Sequence, residues 1–281
     1  METGLFAAAV ALYAASTALA LAYAFLRREE LPLWMWRLLG VALVLHAVSF
    51  GLRTAAFWSV PENWGYLPLH TWYGALSCLA FVSALVFWTV EGIARLNILG
   101  AFILPFTLTA AVGALCGADP AFRPLPEGLR SALLNVHPPL LMAAYTGFAN
   151  AFGVGLALLL QERQIKSRRP AEICYRLPAL EELERLQHAL ILVCFAVLSA
   201  GIALGILWTT HMKDDWRHDA KVLFTLVTWG IYAGVLGARF LGLRGRRAAL
   251  LSMAAFLSLV ATFLAGDAFS KLHGFLMGKN G

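Results

Sequence analysis

The side chains in this sequence best suited to chemistry are its seven histidines. His137 stands directly before Pro138-Pro139 and a long apolar run, and His273 follows the last apolar run closely. If both runs cross a bilayer and finish on one side, the two imidazoles lie at similar depth. Two neutral imidazoles facing each other across a gap are what a six-coordinate haem iron needs. A haem also needs an aromatic-lined slot and cations near its propionates. Trp208, Trp216 and Trp229, with Lys213, Arg217 and Lys221, are candidates for these. The competing reading of these tryptophans is the ordinary aromatic belt of a membrane boundary, where interfacial histidines are also common.

The other histidines divide by position. His70, His211 and His218 fall at helix ends on the same side as His137. His188 falls at the opposite mouth of a span, and His46 near the middle of one. An ionisable group deep in a span is a functional candidate by default. His46 can therefore be a haem ligand, a proton-relay site or a packing histidine bonded to a neighbour. Asp267 is either solvated or paired with Lys271 at i+4. Catalytic signatures are absent: there is no G-x-S-x-G, no H-E-x-x-H and no phosphate-binding glycine loop. Cys78, Cys116, Cys174 and Cys194 form neither C-x-x-C nor C-x-x-C-H, which excludes a thioredoxin-like site and a covalently attached c-type haem. No catalytic residue is expected.

The elements that must position these groups follow from composition. Of the 281 residues 60% are hydrophobic and 14% charged, and the mean hydropathy is +0.72. A soluble domain carries roughly 25% charged residues, so a water-soluble core is excluded. Runs of about 20 apolar residues predict spans at 4–26, 36–57, 69–92, 96–117, 138–160, 188–209, 221–243 and 248–269. The first lacks a basic n-region and is expected to be retained. Fourteen of the 22 Lys and Arg fall on one set of loops when the N-terminus is placed outside. The expected fold is an all-α integral membrane bundle of about eight transmembrane helices with both termini on the outer side. The net charge of +6 is then loop charge facing lipid headgroups, not a nucleic-acid surface. The inner segment 161–187 begins basic and ends in Leu177-Pro178-Ala179-Leu180-Glu181-Glu182-Leu183-Glu184-Arg185-Leu186. Its leucine spacing predicts a separate short helix lying on the bundle or the headgroups.

From about residue 40 the landmarks resemble the cytochrome c assembly membrane proteins, the CcsA/CcmC/HemX group. Asn135-Val136-His137-Pro138-Pro139 running into Ala144-Tyr145 is similar to the family's outer histidine and "SYA" helix. Leu177 to Leu183 is similar to its "LPSLDELD" lead-in. Gly205-Ile206-Leu207-Trp208, then Trp216-Arg217-His218-Asp219-Ala220-Lys221, then Thr228-Trp229 sits where the family has a tryptophan-rich segment, "W-S-W-D-P-K…I-T-W". Gly245-Arg246-Arg247-Ala248 and, after the last span, Leu272-His273-Gly274-Phe275 resemble its ending, "GLHSY". The expected division is an N-terminal helix and loop, 1–35, followed by an assembly-like transmembrane domain, 36–277.

The resemblance implies haem b held non-covalently at the outer face of a bacterial inner membrane. His137 and His273 match the two axial ligands, and Trp208, Trp216 and Asp219 match the remnant of the tryptophan-rich segment. His218, His70 and His46 complete the candidate cofactor contacts. His218 stands where a tryptophan is expected, Ala220 replaces the proline, and the membrane histidine that would fall near Gly237 is missing. These departures look like the HemX-type branch, which implies control of glutamyl-tRNA reductase levels. The expected function is haem handling in c-type cytochrome biogenesis. Its partners would be haem, apocytochrome c or other assembly membrane proteins. The alternatives are a HemX-type regulator that binds a cytosolic haem-biosynthesis enzyme, and a small ion or proton transporter using His46 and Asp267.

Overall fold

The computed structural model describes all residues except 1, 27, 118–121, 123, 126, 128–129, 168–174, 213–219 and 270–281; for 209–212, 220–221 and 264–269 it describes the backbone alone. The described chain contains eight long α-helices: α1 Glu2–Phe25, α2 Leu31–Phe57, α3 Trp72–Ala94, α4 Gly100–Gly117, α5 His137–Ile165, α6 Leu180–Met212, α7 Ala220–Phe240 and α8 Arg246–Phe269. All eight are long and apolar enough to cross a membrane. The chain is a multi-pass membrane protein.

Two helices start earlier than the hydropathy runs suggest. Pro32 in the first turn of α2 supplies a preset φ and lacks the N–H that a helix start leaves unused. Segment 177–187 does not form a separate helix. From Leu180 it continues without a break into α6, because no Gly or Pro lies between Leu180 and His188. Glu181 and Glu182 in the first turn also suit the positive end of the helix dipole. The leucine ridge of this segment faces inward, with Leu177 and Leu183 both buried.

Sequential helices pack as antiparallel hairpins, α1–α2, α3–α4, α5–α6 and α7–α8, tied together by α1–α4, α3–α5 and α5–α8 contacts. One apolar core runs through α1 to α4 and reaches α5 and the start of α6. A second joins α5, α6, α7 and α8. Trp36 of α2 and Trp88 of α3 stack at 4.8 Å with a 9° interplanar angle. Each indole N–H donates to the other residue's carbonyl, both at 3.1 Å. A glycine four residues on makes room for the partner ring: a Cβ at Gly40 would lie 3.0 Å from Trp88 Nε1, and one at Gly92 3.4 Å from Trp36 Nε1.

Candidate functional site

His137 opens α5 behind a tight 3-10 turn, Ala132–Asn135. The two prolines that follow it fit the first turn of the helix, where their missing N–H groups cost nothing. The turn is fixed from a distance. Asn135 Oδ1 accepts from the Leu67 N–H at 3.0 Å and its Nδ2 donates to the Gly65 carbonyl at 2.7 Å. Buried Asn63 accepts from the Leu125 N–H at 2.7 Å. Beneath these bonds Phe57, Leu125 and Leu134 form a small apolar cluster with Tyr66 and Trp208 packed against it. Loop 58–71 and the described residues between Phe122 and Val136 thus make a cap over this end of the bundle.

Within the cap the His137 imidazole is buried against α6. Its Nδ1 lies 2.8 Å from the Gly201 carbonyl. A carbonyl can only accept, so Nδ1 carries a proton and, in the neutral ring, the lone pair is on Nε2. Metal-ligating histidines are commonly set up this way, with one ring N–H donated to a backbone carbonyl and the other nitrogen basic and oriented. The ring fits only because position 205 is glycine: a Cβ there would come within 2.7 Å of His137 Cε1. Trp208, one turn further along α6, meets the imidazole edge-on at 6.1 Å.

His70 lies just ahead of α3 in the same cap, its ring 5.1 Å from that of Phe57. Both of its ring nitrogens are buried without a hydrogen-bond partner. Burial, helped by the Arg53 charge, pulls its pKa down to about 4, so it is neutral at ordinary pH. Arg53 itself was not singled out from sequence. It is buried, bonded to Glu2 at 2.9 Å, and lies over the rings of Tyr73 and Phe122 at 4.1 and 4.7 Å. Phe57 is the shared neighbour that brings His70 into the cluster containing Trp208, and through Trp208 to His137.

His46 has a different setting. Tyr13 Oη contacts its Nδ1 at 3.0 Å and Ser77 Oγ its Nε2 at 2.8 Å. With both nitrogens engaged and Phe6 and Phe81 against the ring, it serves in this arrangement as a packing group joining α1, α2 and α3. Trp229, expected beside the haem slot, packs on Phe195 and donates its indole N–H to Ser199 at 2.8 Å. His273, Trp216, His218 and Asp219 lie outside the described residues. So do the side chains of His211 and Asp267. At Gly237, near which the family's membrane histidine would fall, an added Cβ would meet nothing within 4 Å. Among the described residues no group of three or more His, Cys, Asp and Glu side chains could hold a metal ion.

Residues 69–273 match the family model described as cytochrome C assembly protein. The chain is 28% identical over 224 residues to an uncharacterized 28.8 kDa protein of Azospirillum brasilense, covering 77% of this chain and 81% of the relative. It is 26% identical over 284 residues to the cytochrome c biogenesis protein CcsA of Prochlorococcus marinus, covering 88% and 89%. It is also 26% identical over 226 residues to Protein HemX of Brevibacillus brevis, covering 80% and 83%.

Proposed function

The chain belongs to the cytochrome c assembly protein family, and from that premise we propose that it handles haem for c-type cytochrome biogenesis, holding haem b non-covalently at the His137 end of the bundle. That end faces outward from a bacterial inner membrane, with both termini on the same side. The observation that carries this reading is the His137 Nδ1–H bond to the Gly201 carbonyl, which fixes the ring and puts its lone pair on Nε2. His137 supplies one axial nitrogen and His273 the other. Trp208 and Trp216 flank the ring, with Asp219 and His218 in the same segment. His70 adds a second neutral imidazole to the cap, its nitrogens unmatched by any protein group. Haem is cargo here: any bond it makes is completed on an apocytochrome or another assembly membrane protein, so this chain needs no catalytic residue of its own.

The test is an absorbance spectrum of full-length protein purified from a haem-replete host. A Soret band is expected, and it should be lost in the His137→Ala/His273→Ala double variant. No band, or a band the variant leaves unchanged, would overturn the reading. The second reading is a HemX-type regulator of haem biosynthesis, favoured by the HemX relative and by glycine at position 237. A regulator docks a cytosolic enzyme at the opposite end through the exposed Glu181, Glu182 and Arg185, because the leucines there are already used in packing. In that case the double variant would leave the level of that enzyme under control.

A further inference from the structure

The opposite half of the bundle contains a small cavity among α3, α4, α5 and α6, away from the histidine cap. Its volume is about 10 Å³, room for roughly one water molecule. Phe87, Val90, Ile103, Val154 and Leu190 make most of its wall apolar. Two polar side chains interrupt that wall, Glu91 in the last turn of α3 and Asn150 in the middle of α5. They are 4% and 2% exposed. Glu91 Oε2 and Asn150 Nδ2 both lack a hydrogen-bond partner. The amide orientation at Asn150 is set by a relay. Thr107 Oγ1 donates to Ser83 Oγ at 2.8 Å, and Ser83 Oγ donates to Asn150 Oδ1 at 3.2 Å, which turns Nδ2 away from the relay.

Two residues of the cavity wall therefore carry unmatched atoms, one a donor and one an acceptor. A bare cation fits the carboxylate but is opposed by the amide N–H, and an anion has the reverse problem. An apolar occupant would leave both valences empty, at the full desolvation penalty of each. Water answers both, accepting from one and donating to the other.

We propose that this cavity is a buried water site joining the Glu91 carboxyl to the Asn150 amide, through which Glu91 exchanges its proton with solvent at this end of the bundle. The route is short. α3 ends at Ala94, and Arg95 after it is exposed and turns the chain with φ 51°.

Infrared spectroscopy of the full-length protein in lipid nanodiscs at mildly acidic pH tests this. The Glu91 carboxyl C=O band is the one that disappears in Glu91→Gln. It should shift to lower frequency within minutes of transfer into D2O. Asn150→Leu removes the donor and should slow that shift by about tenfold or more. Should that variant fail to fold, Val154→Leu fills the cavity from α5 without touching either polar group, and the same slowing is expected. A band that stays unshifted after hours shows a dry cavity and overturns the proposal. Failure of Glu91→Gln to remove any band, or exchange at the wild-type rate in the filled variants, also overturns it. None of these outcomes depends on haem binding at the other end.

Discussion

An imidazole can ligate iron only through the nitrogen that holds its lone pair, and at His137 the Gly201 carbonyl decides which nitrogen that is. The carbonyl, the glycine at 205 and the indole of Trp208 are three neighbours on one face of α6, at spacings of three and four residues. They orient a group carried by α5. Gly205→Ala isolates this positioning role, because it leaves every candidate ligand in place. Its Cβ would sit 2.7 Å from His137 Cε1, so the ring must tilt and its bond to Gly201 must lengthen. Haem affinity, read from a Soret titration of the apoprotein, should fall by about 10- to 100-fold, the range for losing an orienting partner of a ligating histidine. Imidazole added to the solution should restore the band shape, since the vacated coordination position can be filled from outside. An affinity equal to wild type would show that α6 does not orient this ligand. The sequence makes His137 legible, because a histidine ahead of two prolines and an apolar run has an evident place. It hides Gly201 and Gly205, because in a transmembrane helix small residues are the ordinary interface composition. Arg53 is hidden for a related reason. One basic residue near the end of a span looks like a charge anchored at the boundary, and only the fold brings Glu2 and two aromatic rings to it.

At the scale of elements, helix number follows from hydropathy alone, while the contacts between helices do not. The union of segment 177–187 with α6 illustrates the difference. A twenty-residue window finds the apolar part of α6 and stops at the acidic turn, yet the hydrogen-bond ladder needs no change in composition to continue through it. The pairing of α2 with α3 is a second case. Trp36 and Gly40, and Trp88 and Gly92, repeat one spacing on two helices. Each tryptophan taken alone reads as belt. Together they form a reciprocal clasp in which each ring fills the notch made by the other helix's glycine. Trp36→Phe and Trp88→Phe each remove one indole donor and keep most of the stack. Each should lower stability by about 1 kcal/mol, the usual net worth of one such bond. Because both bonds depend on the same stacked pair, the double variant should lose less than the sum of the two single losses. Thermal melts in one detergent measure all three. A double variant whose loss equals that sum would mean that the bonds act independently and the pair is no clasp.

The whole molecule has two differing ends: a cap of loops around His137 and His70 at one, and a helical body carrying the Glu91 cavity toward the other. The family match begins at residue 69, but the body does not. α1 contributes Phe6, Val10, Tyr13 and Tyr23 to the main core, and Tyr13 holds His46. α1 thus shares one apolar core with α2, α3 and α4. The proposed haem handling requires the cap to face outward, and a native cysteine offers the test. Cys116 is exposed at the end of α4, the end that leads toward His137. Cys194 is buried and Cys78 half-buried. With Cys174 replaced by serine, Cys116 should react with a membrane-impermeant maleimide added to intact cells whose outer barrier has been opened. A cysteine introduced at exposed Glu29, in the α1–α2 connection, in a Cys116→Ser background should react only after the membrane itself is broken. The basic-residue count favours this orientation, since most of the Lys and Arg collect on the loops at the Glu29 end. The opposite labelling pattern would place the histidine cap in the cytosol. Haem would then be received on the side where it is made, and delivery to an apocytochrome outside the membrane would need a second protein.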